Sequence, residues 1–271
     1  MCELFALSSN RPVALTLSLR ALARHGGLEG PHRDGWGVAY YEDNDVRLIK
    51  EARAASESPW IRFLEAHALR SRLILSHIRH ATQGARRFRN TQPFIRELGG
   101  RVHAFAHNGD LEAIRDRTDF APDRYRPVGE TDSEWAFCAL LQRMTALWRD
   151  ADGGIPARAD RVALIADFAA RLRALGPANF IYADGDTLFA HGHKRKQPET
   201  DILAPPGLWV LCRRCGPEHA NPKMTGAALE TNTQDVALLA SVPLTTEAWR
   251  PLEEGEVIAL RDGRIAAGTG D

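Results

Sequence analysis

Short apolar runs separated by turn residues dominate the chain, and most have the length of β-strands. The runs that predict strands are residues 3–8, 35–41, 46–49, 72–79, 102–107, 179–183, 187–191, 208–213, 235–241 and 257–261. Longer amphipathic stretches predict helices from Pro12 to about Arg24, Pro59 to about Leu69, Thr131 to about Trp148, and about Asp160 to Leu175. The pattern therefore predicts a mixture of strands and helices, which alone does not select a fold.

Two local signals place polar residues at the ends of predicted elements. Thr131-Asp132-Ser133-Glu134 is a capping box, with Thr131 as N-cap and Glu134 reaching back, which puts Asp132 in the first helical turn. The strand 102–107 ends at Asn108-Gly109, a dipeptide that supplies positive φ angles at little cost and so can form a turn. Chemistry often collects at such strand ends.

Composition narrows the classes of function. The 271 residues are 44% hydrophobic, which predicts a single domain over 1–271, with its core at about 2–250 and C-terminal strands to 271. Lys plus Arg equals Asp plus Glu at 35 each, so no net charge favours nucleic acid or an anionic membrane. The first twenty residues do not resemble a signal peptide, and no apolar run approaches the roughly 18 residues of a membrane span. We expect a cytoplasmic protein that acts on a small molecule.

The four cysteines are too few and too unevenly spaced for a secreted disulfide scaffold. Cys212 and Cys215 have CxxC spacing with His219 nearby, which leaves zinc or redox chemistry as an alternative. Since no second CxxC is present and a strand precedes the motif, we expect no metal and no cofactor. Cys138 falls on the apolar face of the Thr131 helix and is expected in the core.

Cys2 has a different context, because it follows Met1 directly. Removal of Met1 would leave a thiol and a free α-amine on one residue. The amine titrates near ~8 and the thiol near ~8.5, so the amine can accept the thiol proton at neutral pH. The alternative is a core cysteine that happens to occupy position 2.

Five motifs weigh against that alternative when they are taken together and in order. They are Met1-Cys2-Glu3-Leu4, Asp34-Gly35-Trp36-Gly37, Arg79-His80-Ala81-Thr82, Ala106-His107-Asn108-Gly109 and Gly129-Glu130-Thr131-Asp132-Ser133-Glu134. Over about residues 1–250 the chain resembles class II glutamine amidotransferases, and among them bacterial stand-alone members without a synthase domain. The resemblance implies an α+β fold, the four-layer αββα sandwich of two antiparallel sheets found in N-terminal nucleophile (Ntn) hydrolases. It also implies that Cys2 attacks the γ-amide of glutamine to form a γ-glutamyl thioester, releasing ammonia and glutamate.

The resemblance implies four substrate-binding residues. Arg79 would bind the α-carboxylate with its planar fork of donors, and Asp132 would pair with the α-ammonium. Thr82 would add a hydrogen bond and His80 a backbone contact. The competing interpretations are a surface ion pair for Arg79 and a favourable helix-dipole position for Asp132.

Asn108 and Gly109 would form the oxyanion hole through the Asn side-chain amide and the Gly backbone N–H. A plain Asn-Gly turn is the competing interpretation. Trp36 and Gly37 are expected to shape the floor of the pocket rather than to react.

The chain departs from synthase-linked members of the family, since His80 stands where tryptophan is frequent and Gln83 and Gln92 stand where histidine is frequent. The substrate therefore stays open. We expect no acceptor domain in the chain, so ammonia passes to a partner protein or hydrolysis is the whole reaction. The alternatives are a hydrolase of larger γ-glutamyl amides and a non-catalytic subunit that binds glutamine or a partner.

Overall fold

The computed structural model describes residues 2–14, 33–67, 69–215 and 234–269. Its strands are β1 (Glu3–Ala14), β2 (Trp36–Glu42), β3 (Asp45–Glu51), β4 (Arg70–Ile78), β5 (Phe94–Leu98), β6 (Arg101–Gly109), β7 (Ala178–Ala183), β8 (Leu188–His191), β9 (Arg195–Lys196), β10 (Leu203–Ala204), β11 (Trp209–Cys215), β12 (Gln234–Ala240), β13 (Arg250–Pro251), β14 (Val257–Arg261) and β15 (Arg264–Gly268). Its α-helices are α1 (Pro59–His67), α2 (Asp132–Asp150) and α3 (Arg158–Arg173).

The strands form two large sheets. The first has seven strands in the order β13-β11-β12-β1-β4-β2-β3, and the second has six in the order β15-β14-β8-β7-β6-β5. Neighbouring strands within both sheets run antiparallel. β9 and β10 form a separate pair. The predicted strands 35–41 and 46–49 are confirmed as β2 and β3, which pair as a hairpin.

The alternation of side chains along the strands fills the space between the sheets. Leu4 and Ala6 of β1 belong to the same buried cluster as Ala104 and Ala106 of β6. Successive side chains of a strand point to opposite faces, so the even-numbered residues of both strands face the partner sheet. Small alanines on β6 let the two sheets approach closely.

Helices cover the two outer faces. Phe5 of β1 packs in a cluster with Ile61 of α1 on one side of the molecule. On the other side, Phe105 of β6 packs with Phe137 of α2 and Phe168 of α3. The layers therefore follow the order helix, sheet, sheet, helices, which confirms the predicted four-layer αββα sandwich. None of the described helices combines the length and the apolar character that a membrane span requires.

The predicted helix at Pro12 is wrong, because β1 continues through Pro12 to Ala14. The register of β1 against β4 shifts between Ser8 and Val13. A proline has no N–H to donate, so it is tolerated at such an irregularity in the ladder. The remainder of that predicted helix, to Arg24, lies outside the described residues.

The N-terminus of α2 confirms half of the predicted capping box. The Thr131 hydroxyl accepts a hydrogen bond from the Glu134 N–H at 3.2 Å. The Glu134 carboxylate does not return to Thr131 and instead accepts from the N–H groups of Val128 and Gly129, at 3.1 and 2.6 Å. The carboxylate also forms an ion pair with Arg96 at 2.6 Å. It therefore holds the segment that leads into α2, and not only the N-cap.

Candidate active site

Strand alternation and pairing bring two predicted site residues, Cys2 and Arg79, together and place the end of β6 near them. Cys2 precedes β1 and continues the inter-sheet alternation of Leu4 and Ala6. The start of β1 lies beside the end of β4, since Glu3 pairs with Ile78, so Cys2 lies next to Arg79. The Gln83 side chain donates to the Asp110 carboxylate, which brings the loop after β4 against the end of β6.

The Cys2 thiol is held by the backbone of His80. Its Sγ accepts from the His80 N–H and donates to the His80 carbonyl, both at 3.3 Å. Burial raises the pKa of the Cys2 thiol, and the His80 N–H acts in the opposite direction because it favours the thiolate. The resting thiol therefore needs a base before it can attack. The backbone of His80, which was predicted to contact the substrate, contacts the candidate nucleophile.

Arg79 is only 3% exposed, which excludes the interpretation of a surface ion pair. Its Nη2 donates to the carbonyls of Gln83 and Gly84, both at 2.8 Å, and its Nη1 donates to the carbonyl of Ala85 at 3.2 Å. Burial lowers the pKa of Arg79, and the nearby Asp34 carboxylate acts in the opposite direction. Both Nη2 hydrogens are used, so a bidentate carboxylate would have to replace at least one of these carbonyls.

The loop that follows Arg79 is held at both ends by polar side chains. Asp34 accepts from the Ala81 N–H at 2.9 Å. The fully buried Asn90 donates to the Ala85 carbonyl at 2.8 Å and accepts from the Glu130 N–H at 2.8 Å. Thr82 lies between these attachments and is exposed. Its hydroxyl forms no hydrogen bond within the described part of the chain, so it is available to a ligand.

The structure corrects the predicted turn at Asn108-Gly109. Neither residue has a positive φ, and β6 extends through Gly109 in register with β7. Glycine is required for a different reason, since a Cβ at position 109 would lie 1.7 Å from the Pro177 carbonyl oxygen. Asn108 is 1% exposed, and its side-chain amide has no hydrogen-bond partner within the described part of the chain. A buried, unpaired amide is unusual and is available to a ligand.

Gln92, one of the departures from the family pattern, supports the same strand. Its Oε1 accepts from the His107 N–H at 2.6 Å, and its Nε2 donates to the His107 carbonyl at 3.3 Å. The side chain of Gln92 thus takes the place of a neighbouring strand. The His107 imidazole contacts the Ser133 hydroxyl at 2.9 Å, and burial lowers its pKa, so it is neutral at pH 7.

Asp132 lies in the first turn of α2, as predicted, and is 6% exposed. Its Oδ2 accepts from the Leu111 N–H and its Oδ1 from the Ser133 N–H, both at 2.8 Å, and Oδ1 also accepts from the Ser133 hydroxyl at 3.3 Å. Its charge acts on the Cys2 thiol and favours the neutral form. These bonds fix the carboxylate near Cys2 and leave an acceptor site for a cation.

The prediction that Trp36 shapes the pocket floor is wrong. Trp36 belongs to the buried cluster on the α1 side of the seven-stranded sheet, the face opposite to Leu4, and its indole donates to Glu51 at 3.2 Å. Gly37 packs against the segment after the loop, since a Cβ there would lie 2.4 Å from the Gln92 carbonyl oxygen. The residues of the Asp34–Gly37 motif therefore support the strands and the loop that carry the site, rather than lining a pocket.

The remaining cysteines are separate from this site. Cys138 is fully buried in the α2 core, as predicted. Cys212 is an exposed free cysteine on β11. The side chain of Cys215 and all of His219 lie outside the described residues, so the zinc or redox alternative stays untested.

Comparisons with known proteins identify the family. Residues 1–270 match the family model for class II glutamine amidotransferases. A protein named "Putative glutamine amidotransferase YafJ" from Escherichia coli is 34% identical over 94% of this chain and 96% of its own length. A "Putative glutamine amidotransferase" from Haemophilus influenzae is 35% identical over 98% of this chain and 86% of its own length.

Solved structures give the same answer for the fold. A predicted glutamine amidotransferase from Pseudomonas aeruginosa has a TM-score of 0.66 and 31% identity, covering 98% of this chain and 100% of that one. The glutamine phosphoribosylpyrophosphate amidotransferase of B. subtilis has a TM-score of 0.56 at 16% identity, covering 96% of this chain and 47% of that one, so it supports the fold alone. The chain belongs to the class II glutamine amidotransferase family.

Proposed function

We propose that this protein hydrolyses the side-chain amide of glutamine through a γ-glutamyl thioester on Cys2, producing ammonia and glutamate. The observation that carries the proposal is the position of the Cys2 thiol, bonded to both backbone groups of His80 beside the buried Arg79. The unpaired amide of Asn108 supports it, because the tetrahedral intermediate of acyl transfer requires donors for its oxyanion.

In the first half of the reaction, the α-amine of Cys2, freed by removal of Met1, accepts the thiol proton as Sγ attacks the amide carbon. The Asn108 amide and the Gly109 N–H donate to the resulting oxyanion. The protonated amine then gives its proton to the amide nitrogen, the C–N bond breaks, and ammonia leaves. The raised pKa of the thiol makes this base necessary.

In the second half, water attacks the thioester carbonyl and gives a proton to the same amine. The same donors hold the second oxyanion. The C–S bond breaks, Sγ recovers the proton from the amine, and glutamate leaves as the γ-carboxylic acid, which ionises by giving its remaining proton to the released ammonia. Atoms and protons balance without any group besides water.

Substrate binding falls to the charged residues beside the thiol. Arg79 binds the α-carboxylate by exchanging carbonyl bonds of the Gln83–Ala85 segment for carboxylate oxygens. Asp132 receives the α-ammonium on the acceptor site that its bonds to the Leu111 N–H, the Ser133 N–H and the Ser133 hydroxyl leave unused. The two opposite charges select a free amino acid end on the substrate.

Glutamate release from glutamine and from a panel of larger γ-glutamyl amides tests the proposal, with intact mass recording whether Met1 is absent. Cys2→Ala should abolish release, whereas Cys212→Ser, at an exposed cysteine, should leave it unchanged. The best amide identifies the leaving group. A processed and folded protein that is inert on every amide, or activity that survives Cys2→Ala, would contradict the proposal.

A further inference from the structure

Asn179 lies on β7 directly opposite Asn108 of β6 and is fully buried. Its Nδ2 donates to the Asn108 carbonyl at 3.1 Å and to the Lys194 carbonyl at 2.7 Å. Its Oδ1 accepts from the His193 N–H at 2.7 Å. Both amide hydrogens are used, and the His193 donor fixes which amide atom is the oxygen.

The Asn108 carbonyl and the Gly109 N–H belong to the same peptide unit. In a trans peptide these two groups point in opposite directions, so a bond that fixes the carbonyl also fixes the N–H. A hydrogen bond to the carbonyl also polarises the peptide and strengthens its N–H as a donor. Asn179 therefore acts on Gly109 through the backbone, without touching a substrate.

The direction of the Gly109 N–H follows from the ladder. The Asp110 N–H bonds to the Pro177 carbonyl on the β7 side, and the His107 N–H bonds to Gln92 on the β5 side. Backbone groups alternate between the two sides of a strand, so the Gly109 N–H points to the Gln92 side. That side adjoins the loop after Arg79, because Gln83 bonds to Asp110.

The surroundings of Asn179 hold its amide in one position. A Cβ at Gly207 would lie 1.7 Å from Asn179 Oδ1, so the backbone there packs directly on the amide. Asn179 also connects β6 to the segment with His193, whose imidazole lies 3.4 Å from Glu254. A residue that only filled space would not need three directed bonds.

We propose that Asn179 is a positioning residue for the oxyanion hole, which orients and polarises the Asn108–Gly109 peptide from behind. The inference rests on the proposed hydrolysis at Cys2. It adds a residue that touches neither the thiol nor the substrate and yet determines how well the Gly109 N–H meets the oxyanion.

Asn179→Ala tests this in the processed full-length protein. We expect kcat for glutamine to fall about 10-fold with KM within about 2-fold, because one neutral hydrogen bond near the reacting atoms is lost. Binding of the γ-aldehyde analogue of glutamine, which forms a thiohemiacetal with Cys2 and places an oxygen in the oxyanion hole, should weaken in parallel. Binding of glutamate, which forms no such adduct, should not change.

Tyr182→Phe is the matched control on the same strand. It removes the buried hydrogen bond between Tyr182 and His103, so it should lower the thermal midpoint without changing kcat or aldehyde binding. If Asn179→Ala does not fold, Asn179→Asp keeps the shape and the acceptor for His193. Its kcat relative to wild type should rise as the pH falls, because the protonated carboxyl regains a donor.

A folded Asn179 variant with wild-type kcat and aldehyde affinity would overturn the inference while leaving the proposed function intact. The inference would fail in the same way if Tyr182→Phe lowered kcat as much as Asn179→Ala does. A wild-type protein that cleaves no amide would instead remove the proposed function and this inference with it.

Discussion

The ends of β4 and β6 meet at the same site but are built differently. Beyond β4, Arg79 lies in a loop whose backbone carbonyls occupy its donors, and Thr82 is exposed. The end of β6 is buried, with Asn108 opposite Asn179 on one side and His107 bonded to Gln92 on the other. The first region uses hydrogen bonds that a ligand can replace, whereas the second has its backbone fixed from both sides.

This difference matches the two tasks of the proposed amide hydrolysis. Groups that bind a substrate must exchange partners as it arrives, and the Arg79 carbonyl bonds allow that. Donors to an oxyanion are most effective when they need no reorganisation during the reaction. We therefore expect substitutions at the end of β6 to act on kcat, and substitutions beyond β4 to act mainly on KM.

Among substitutions in these two regions, the largest effect should follow Asn108→Ala. Losing one oxyanion donor typically lowers kcat by about 10²- to 10³-fold, and KM should change little because the ground-state amide gains less from the donor than the oxyanion does. Steady-state kinetics with glutamine measures both. Asn10→Ala, which removes an amide that accepts from the Asp235 N–H near the other end of β1, should leave kcat unchanged. A raised KM at constant kcat would contradict the division between the two regions.

A smaller effect should follow Arg79→Lys. Lysine keeps a charge but loses the fork, so kcat/KM should fall roughly 10- to 100-fold, mainly through KM, as expected for a lost hydrogen bond to a charged group. Arg87→Lys, on the exposed part of the same loop, is the matched control and should behave like wild type. If kcat fell while KM stayed constant, Arg79 would belong with the oxyanion donors rather than with the binding groups.

Resemblance in the sequence marks the candidate site residues, but no pattern in the sequence marks the residues that support them. Cys2, Arg79, Asn108 and Asp132 stand in ordered motifs. Asn179 acts on a carbonyl 71 positions earlier in the chain, and no local pattern signals such a contact. The residues that support a site are chosen by pairing across the sheet, which a single sequence does not reveal.

Local rules also failed where sheet pairing was stronger than propensity. Pro12 suits the first turn of a helix, yet β1 pairs with β4 on both sides of it through a shift in register. Asn108-Gly109 suits a turn, yet pairing with β7 continues through both residues. In both cases pairing with a strand distant in the chain determined the conformation. Gly109 is needed because a side chain there would not fit, rather than for its φ angle.

The smallest expected effect is a loss of stability in acid that arises from buried histidines of the six-stranded sheet. In the six-stranded sheet, burial lowers the pKa of His103 to about 4 and that of His191 to about 3. The unfolded chain binds protons on both imidazoles below about pH 6.5, whereas the folded chain does not, so the free energy of unfolding falls as the pH drops. From pH 6.5 to pH 5.5 each histidine should remove roughly 1 kcal/mol.

Urea unfolding at several pH values measures this loss for the wild type and for His103→Gln. The variant should lose less stability over the same interval, because one titrating imidazole is gone, even if it starts from a lower value. His67→Gln, at an exposed position on α1, is the control and should keep the wild-type slope. An equal slope in His103→Gln would mean that the buried imidazole already binds its proton in the folded state. The six-stranded sheet would then hold a buried charge at His103, contrary to the effect expected of burial.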